Sequence, residues 1–136
     1  PSLSQAEVEE RLARDLGATQ VIWLGEGLLN DHTDGHVDNL ARFVAPGRVA
    51  LPTSAKDDPN TPVYADAAKR LKAAKLDIVS IPSPGRIESE DGIIPASYMN
   101  FTIANAAVVV PLYGAENDEA AVHTIQALFP GRRAVS

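Results

Sequence analysis

Apolar side chains at Val8, Leu12 and Leu16 recur at i, i+4 and i+8, the spacing of one helix face, while Glu9, Glu10, Arg11 and Arg14 fall largely on the opposite side. Ser4-Gln5-Ala6-Glu7 forms a capping box ahead of them and Gly17 follows the last periodic position, so the pattern predicts an amphipathic helix from Ser4 to Gly17. The period then changes. Residues 20–24, Gln-Val-Ile-Trp-Leu, read as a short buried strand, and 25–35 as a loop rich in Gly, Asn and Asp. Apolar runs at 40–44 and 48–51 flank Ala45-Pro46-Gly47, which predicts a hairpin with a proline–glycine turn.

The same order recurs. Thr61-Pro62 reads as an N-cap with proline at the first helical position, opening a helix through Tyr64, Ala67, Ala68 and Leu71 to about Ala74. Residues 76–81 read as the next strand and 82–92 as a loop carrying three acidic residues. A second hairpin follows over 98–104 and 107–112. At its tip Asn105-Ala106 lacks the glycine that a type I′ turn favours, so a longer or bulged turn is expected. A third helix starts near Asn117, turns Ala121, Ile125 and Leu128 inward and stops before Pro130; Ala134-Val135 opens a further strand. The helix caps at 4, 61 and 117 are 57 and 56 residues apart, an internal repeat of helix, strand, loop and hairpin. Repeat units of about 4–60, 61–116 and a truncated 117–136 follow. The fold class is α/β, and the hairpins demand antiparallel neighbours that a purely parallel sheet lacks.

Composition narrows the function. A chain of 136 residues with 45% hydrophobic content suits one packed domain or a portion of one. With 18 acidic against 12 basic side chains the formal charge is −6, and the basic residues are scattered rather than striped, which disfavours nucleic acid. No apolar run approaches the ~20 residues of a membrane helix. The first residues carry no targeting pattern, so a cytoplasmic location is expected. There is no cysteine, hence no disulfide, thiolate metal site or thiol nucleophile within these residues.

Chemistry concentrates in 30–39, Asn-Asp-His-Thr-Asp-Gly-His-Val-Asp-Asn. If 36–38 is extended, His36 and Asp38 share a face, an imidazole able to move protons near neutral pH beside a carboxylate able to orient it or grip a cation. Gly35 permits a tight backbone just before the pair. Three readings stand side by side: a solvated loop with side-chain turns; a metal site drawn from His32, Asp34, His36 and Asp38, which alternate; and a catalytic site whose carboxylates match a guanidinium or amine. Spacing alone does not choose among them.

Trp23-Leu24-Gly25-Glu26-Gly27 followed by Asp34-Gly35-His36-Val37-Asp38-Asn39 resembles the agmatine deiminase family, also called bacterial peptidyl-arginine-deiminase-like proteins. Ala96-Ser97-Tyr98-Met99-Asn100-Phe101, Ile103-Ala104-Asn105, Val109-Val110-Pro111, Asn117-Asp118 and Phe129-Pro130-Gly131-Arg132 extend the likeness in order along nearly the whole chain. The resemblance implies a pentein, a ring of five ββαβ units around a central site, of which about two and a half would lie here. It also implies hydrolysis of a small cationic guanidinium substrate, most simply agmatine to N-carbamoylputrescine and ammonia, with a free or peptidyl arginine as the competing substrate. By position His36 would be the general acid/base and Asp38 the guanidinium-gripping carboxylate, both catalytic, with Asp34 a further substrate-binding carboxylate. No metal or other cofactor is implied. His32 stands where related sequences are often acidic.

The same resemblance expects a cysteine nucleophile shortly beyond the Phe-Pro-x-Arg segment and a second carboxylate in earlier units. These residues therefore read as a portion of a longer deiminase, roughly two fifths of it, from two and a bit units of five. Alone it is expected to be inactive, to pair with the missing segments of the same protein, and to self-associate through open strand edges, a homo-oligomer included. A non-catalytic fragment is the remaining alternative. Trp23 is expected in the core, with a wall of the substrate pocket as the alternative; Asn39 and Asn100 in structural turns or caps; His123 at the surface or its boundary; and Glu88, Glu90 and Asp91 in a solvated acidic loop, with contact to a polyamine or a neighbouring subunit as the alternative.

Overall fold

The computed structural model describes residues 3–31, 35–90 and 92–136. Two three-stranded sheets with one connectivity dominate it. β1 (Arg42–Ala45) and β2 (Arg48–Thr53) form an antiparallel hairpin, α2 (Thr61–Ala73) crosses over, and β3 (Asp77–Pro82) returns parallel to β2. Further along, β6 (Thr102–Ile103) and β7 (Ala107–Val109) form a second hairpin, α3 (Asp118–Leu128) crosses, and β8 (Arg133–Val135) lies parallel to β7. In each sheet the second hairpin strand is central. α1 (Gln5–Leu16) precedes both sheets, and a small hairpin of β4 (Glu88–Ser89) and β5 (Gly92–Ile93) lies between them.

The local signals act as expected at most turns. Ser4 accepts the Glu7 N–H while the Glu7 carboxylate takes the Ser4 N–H at 2.7 Å, completing the capping box, and Gly17 closes α1 in the left-handed region at φ 69°. Gly47 turns the first hairpin at φ 70°. At the second tip neither Asn105 nor Ala106 takes a positive φ, and Ala104 N–H reaches Ala107 O at 2.8 Å, so the chain avoids the strained type I′ geometry.

Four expectations are corrected. Residues 20–24 are not a strand: a strand needs a ladder partner, and none of the described residues supplies one. The loop 82–92 holds the β4–β5 hairpin, whose two-residue strands are too short to show a period. The second helix is headed by Asn60 rather than Thr61, because Thr61 donates its hydroxyl back to Asp58 O at 2.8 Å and is already helical. Leu16 is 77% exposed and α1 buries none of its residues, so its apolar stripe has little to pack against.

β2 is buried on both faces. Val49 and Leu51 meet Tyr64, Ala67 and Leu71 of α2, with Leu28 and Leu40 completing that cluster. Ala50, between them, points the other way with Ile81 into a second cluster built from Tyr98, Met99, Phe101, Val108, Val110, Ala121, Ile125 and Phe129. This second cluster joins the two sheets, with α3 packed against β3 as well as β8. Phe101 and Phe129 meet edge to face at 5.8 Å, and the Arg42 guanidinium lies 4.5 Å over the Phe101 ring while donating to Phe101 O. The Ser97 hydroxyl donates to Asn39 O at 2.6 Å across the same seam.

Asp118 opens α3 as a hydrogen-bond hub. It accepts from the Tyr98 hydroxyl at 2.6 Å, Tyr113 N–H at 3.2 Å and Ala115 N–H at 3.2 Å. Desolvation pushes its carboxyl up, but the Tyr98 hydroxyl and the backbone N–H groups of Tyr113, Gly114 and Ala115 outweigh it and hold the pKa below the ordinary range. A depressed pKa contributes stability above the unfolded value, near ~3.9, that is lost as pH falls through the folded value. Asp118→Ala should therefore destabilise the fold at pH 7 by about 1–2 kcal/mol. Urea titrations at stepped pH should show the gap from the wild type closing below about pH 4; a gap unchanged from pH 7 to pH 3 would remove the carboxylate from this role.

Candidate functional site

The polar cluster is held by a backbone contact between two glycines. A Cβ placed on Gly27 would lie 2.4 Å from Gly35 Cα, and one on Gly35 would lie 3.2 Å from Gly27 Cα. Gly35 also sits at φ 98°, a region side chains rarely adopt. Only glycine at both places lets the outgoing and returning strands of the loop pass this closely. Before the contact, Gly25 leaves room for Asp66 of α2, whose carboxylate oxygen would stand 2.4 Å from a Cβ there. Arg70 on the same helix bonds Asp66 at 2.6 Å and donates to Trp23 O at 3.2 Å, clipping segment 20–24 to α2.

After the contact the chain enters a single 3-10 turn at Val37–Asn39. Asn39 N–H bonds His36 O at 3.1 Å and Leu40 N–H bonds Val37 O at 3.0 Å. Leu40 then plugs the core under α2, and Asn39 O takes the Ser97 hydroxyl. His36 stands at the head of this turn with φ −66° and ψ 115°. Its backbone N–H is captured by the Asp31 carboxylate at 2.9 Å, and Asp31 N–H bonds Leu28 O at 3.1 Å.

The 3-10 turn corrects the expectation of an extended 36–38, so strand alternation does not set the relation of His36 to Asp38. His36 is exposed and borders a cleft of 370 Å³ walled by residues 21–27, Gly35 and the inner side of α1; Asp38 is exposed and does not line that cleft. A second cleft of 500 Å³ lies beyond the glycine contact, bordered by Glu26, Asp31, Asn60 and Pro62. Glu26 touches both clefts. His32, Thr33 and Asp34 lie outside the described residues, as does Asp91. Among the described residues no group of three or more His, Asp or Glu is arranged to hold a metal ion.

Trp23 is a correction. It is 40% exposed, lines the His36 cleft, and donates its indole N–H to Glu9 at 2.6 Å. Among the described residues segment 20–24 joins no sheet; Ile22 and Leu24 still pack against the core under α2, while Trp23 turns outward to form part of the cleft wall. Gln5 and then Trp23 hold the Glu9 carboxyl below its usual range. His123, Glu88 and Glu90 are exposed and Asn39 is in its turn, as expected; Asn100 N–H bonds Ser97 O at 3.4 Å.

Sequence reasoning missed Asp31, Asn60, Asp58 and Ser83. Asn60 is 3% exposed and its side-chain oxygen accepts Leu29 N–H at 2.7 Å, next to Asn30 at φ 61°. Asp58 receives Asn60 N–H at 2.8 Å and the Ser83 hydroxyl. Burial, followed by the charge of Asp58, pushes the neighbouring Tyr64 phenol up. Asp58-Pro59-Asn60-Thr61 carries an Asx-turn signal that marks the helix start; its reach to Leu29 has no local signature.

A family model described as Porphyromonas-type peptidyl-arginine deiminase matches residues 1–136. A Lactococcus lactis protein named "Putative agmatine deiminase" is 37% identical over 161 residues, covering 99% of this chain and 43% of its own length. The solved agmatine deiminase of Enterococcus faecalis superposes with a TM-score of 0.86 at 34% identity, covering 98% of this chain and 43% of that one. A cysteine-to-serine variant of Campylobacter jejuni agmatine deiminase with substrate bound gives 0.89 at 28% identity, covering 98% and 40%. The chain thus spans about two fifths of the length of these relatives.

The glycine contact generates a contrast of two variants. Gly47→Ala meets nothing within 4 Å and should cost only its positive φ, about 1 kcal/mol. Gly27→Ala drives a methyl group into backbone and should cost more, on the order of 2–3 kcal/mol. Urea unfolding of both variants checks the order; equal losses would mean the two loop segments separate freely.

Proposed function

Because this chain belongs to the Porphyromonas-type peptidyl-arginine deiminase family, we propose that it carries part of the active site of a guanidinium hydrolase, acting on agmatine to release ammonia and N-carbamoylputrescine. One observation carries the assignment of His36: Asp31 holds its backbone N–H at 2.9 Å while the Gly27–Gly35 contact fixes the loop at the lip of a cleft of substrate size. The wider architecture is a ring of five ββαβ units, supported by the identical connectivity of the two sheets. Units of about 4–60, 61–116 and 117–136 divide it by helix starts.

A guanidinium is permanently charged and a poor electrophile, so carboxylates must grip it and concentrate positive charge at its central carbon. The family likeness alone assigns that grip to Asp38, which does not line the His36 cleft, and makes Asp34 a second substrate-binding carboxylate. A thiolate attacks the carbon, and His36 protonates the departing ammonia, leaving an amidino-thioether. His36 then takes a proton from water; the resulting hydroxide attacks the same carbon, the carbon–sulfur bond breaks, and the ureido product leaves. No cysteine is present in these 136 residues, so the thiol belongs to other polypeptide. The bound substrate in the cysteine-to-serine relative agrees with thiol chemistry. No helix among the described residues is long and apolar enough to cross a membrane. The cytoplasm is the compartment proposed, as for a small cationic metabolite as substrate.

Free and peptidyl arginine are the competing substrates, the latter named in the family description, so both are assayed beside agmatine. In the complete protein that includes these residues, ammonia release should be faster from agmatine than from arginine. His36→Ala should lower kcat by about 100-fold or more, and Asp38→Ala should raise KM as well as lower kcat. The 136 residues alone should release none until the cysteine-bearing portion is added. Undiminished turnover by His36→Ala, or a stoichiometric transition metal in the purified protein, would overturn the assignment.

A further inference from the structure

We propose that Asn60 is a positioning residue for this chemistry, acting on His36 through Leu29 and Asp31; the proposal rests on the assignment of His36 made above. Asn60 heads α2, where an asparagine ordinarily turns its side chain onto the first N–H groups of the helix, yet it makes no such bond. Its oxygen instead accepts Leu29 N–H at 2.7 Å, across 31 residues of chain. Leu29 begins the turn in which Asn30 takes φ 61°, and the next residue, Asp31, holds His36 N–H at 2.9 Å. Asn60 is therefore two hydrogen bonds and one tight turn away from the imidazole-bearing residue. A loop pinned at its apex cannot slide its far limb without breaking one of them.

Asn60 is itself fixed to a buried polar block. Its N–H donates to one Asp58 oxygen at 2.8 Å, and the Ser83 hydroxyl donates to the other. The same hydroxyl oxygen accepts Ala55 N–H at 3.1 Å and Gly85 N–H at 3.3 Å, and the buried Tyr64 phenol hydrogen-bonds with the side chains of both Ser83 and Asn60. Asp58 is 7% exposed, Asn60 3% and Ser83 1%, so the block is shielded from competing water. A satisfied buried network of this kind holds its members to one geometry, and Asn60 extends that geometry to the exposed loop.

The second sheet provides an internal comparison. Asn117 occupies the same place at the head of α3 and likewise makes no capping bond; its amide donates to Ser83 O at 2.9 Å, in a loop that carries no His36 equivalent. The two asparagines thus share a way of pinning a preceding loop, but only the loop pinned by Asn60 leads to His36.

The test uses Asn60→Ser, since serine also caps helices well but is too short to reach Leu29 N–H. Measured in the complete active protein with agmatine, Asn60→Ser should lower kcat about 10- to 100-fold with KM changed less than about threefold. Gly47→Ala, which lies outside this network, should lower the melting temperature and leave kcat unchanged. In a double-mutant cycle, Asn60→Ser should have less than about a threefold further effect on kcat once Asp31→Ala has removed the acceptor of the His36 N–H. A kcat at the wild-type level in Asn60→Ser, or full multiplication of the two effects, would overturn the proposal. Asn60→Thr replaces the serine variant if that does not fold, and failure of both to fold would make Asn60 purely structural and overturn it too. His36→Ala is measured alongside: if it keeps full turnover, the assignment of His36 fails first, whereas an inactive His36→Ala with an unaffected Asn60→Ser fails the positioning role alone.

Discussion

Two backbones crossing at van der Waals distance govern the geometry of the candidate site. Gly27 and Gly35 leave no room for a Cβ between them, so the chain before and after the polar cluster meets backbone to backbone. Between these glycines in sequence, the Asp31 carboxylate takes the His36 N–H. The 3-10 turn then follows and drops Leu40 into the core beneath α2. The exposed histidine is thus tied to a rigid interior within four residues on its C-terminal side and by a carboxylate on the other.

The two sheets extend this logic. Each is a hairpin, a helix and a parallel return strand, and each helix is headed by an asparagine whose side chain reaches backward to an earlier loop instead of capping its own helix. Such bonds transfer rigidity from the sheet–helix layers to loops that have no ladder of their own. The seam between the sheets combines apolar burial with a few directional contacts, notably Ser97 to Asn39 O and Arg42 over Phe101. Burial supplies most of the association energy, and the directional bonds set the register of one sheet against the other. Because Asn39 belongs to the turn that follows His36, the segment leading into the second sheet also takes part in holding the site.

Much of this was legible in the residue pattern and some was not. The three helices and both main hairpins follow from periodicity and turn residues, since each is decided within a dozen or so neighbours, whereas the parallel pairing of the return strands is set by the packing of the crossover helices. The likeness carried by Asp34 to Asn39 located the candidate chemistry, with Asp34 itself outside the described residues. The extended relation expected of His36 and Asp38 was not found, because a tight 3-10 turn competes with strand alternation over so short a span. Trp23 reads as core by composition, but an apolar strand is buried only when a sheet receives it, and 20–24 has none among the described residues.

By itself the order of amino acids determined what is local: where helices begin, where glycine permits a reversal, which faces are apolar, and which residues carry imidazole and carboxylate groups. Tertiary structure decided what those groups are held by. No spacing rule links Asn60 to Leu29 or Gly27 to Gly35, and the partners of Asp58 and Ser97 are likewise distant in the chain. Such contacts arise only after the sheets and helices have packed, when buried polar atoms must find partners among whatever groups the packing has brought near. That requirement, rather than any local preference, sets the position of the histidine.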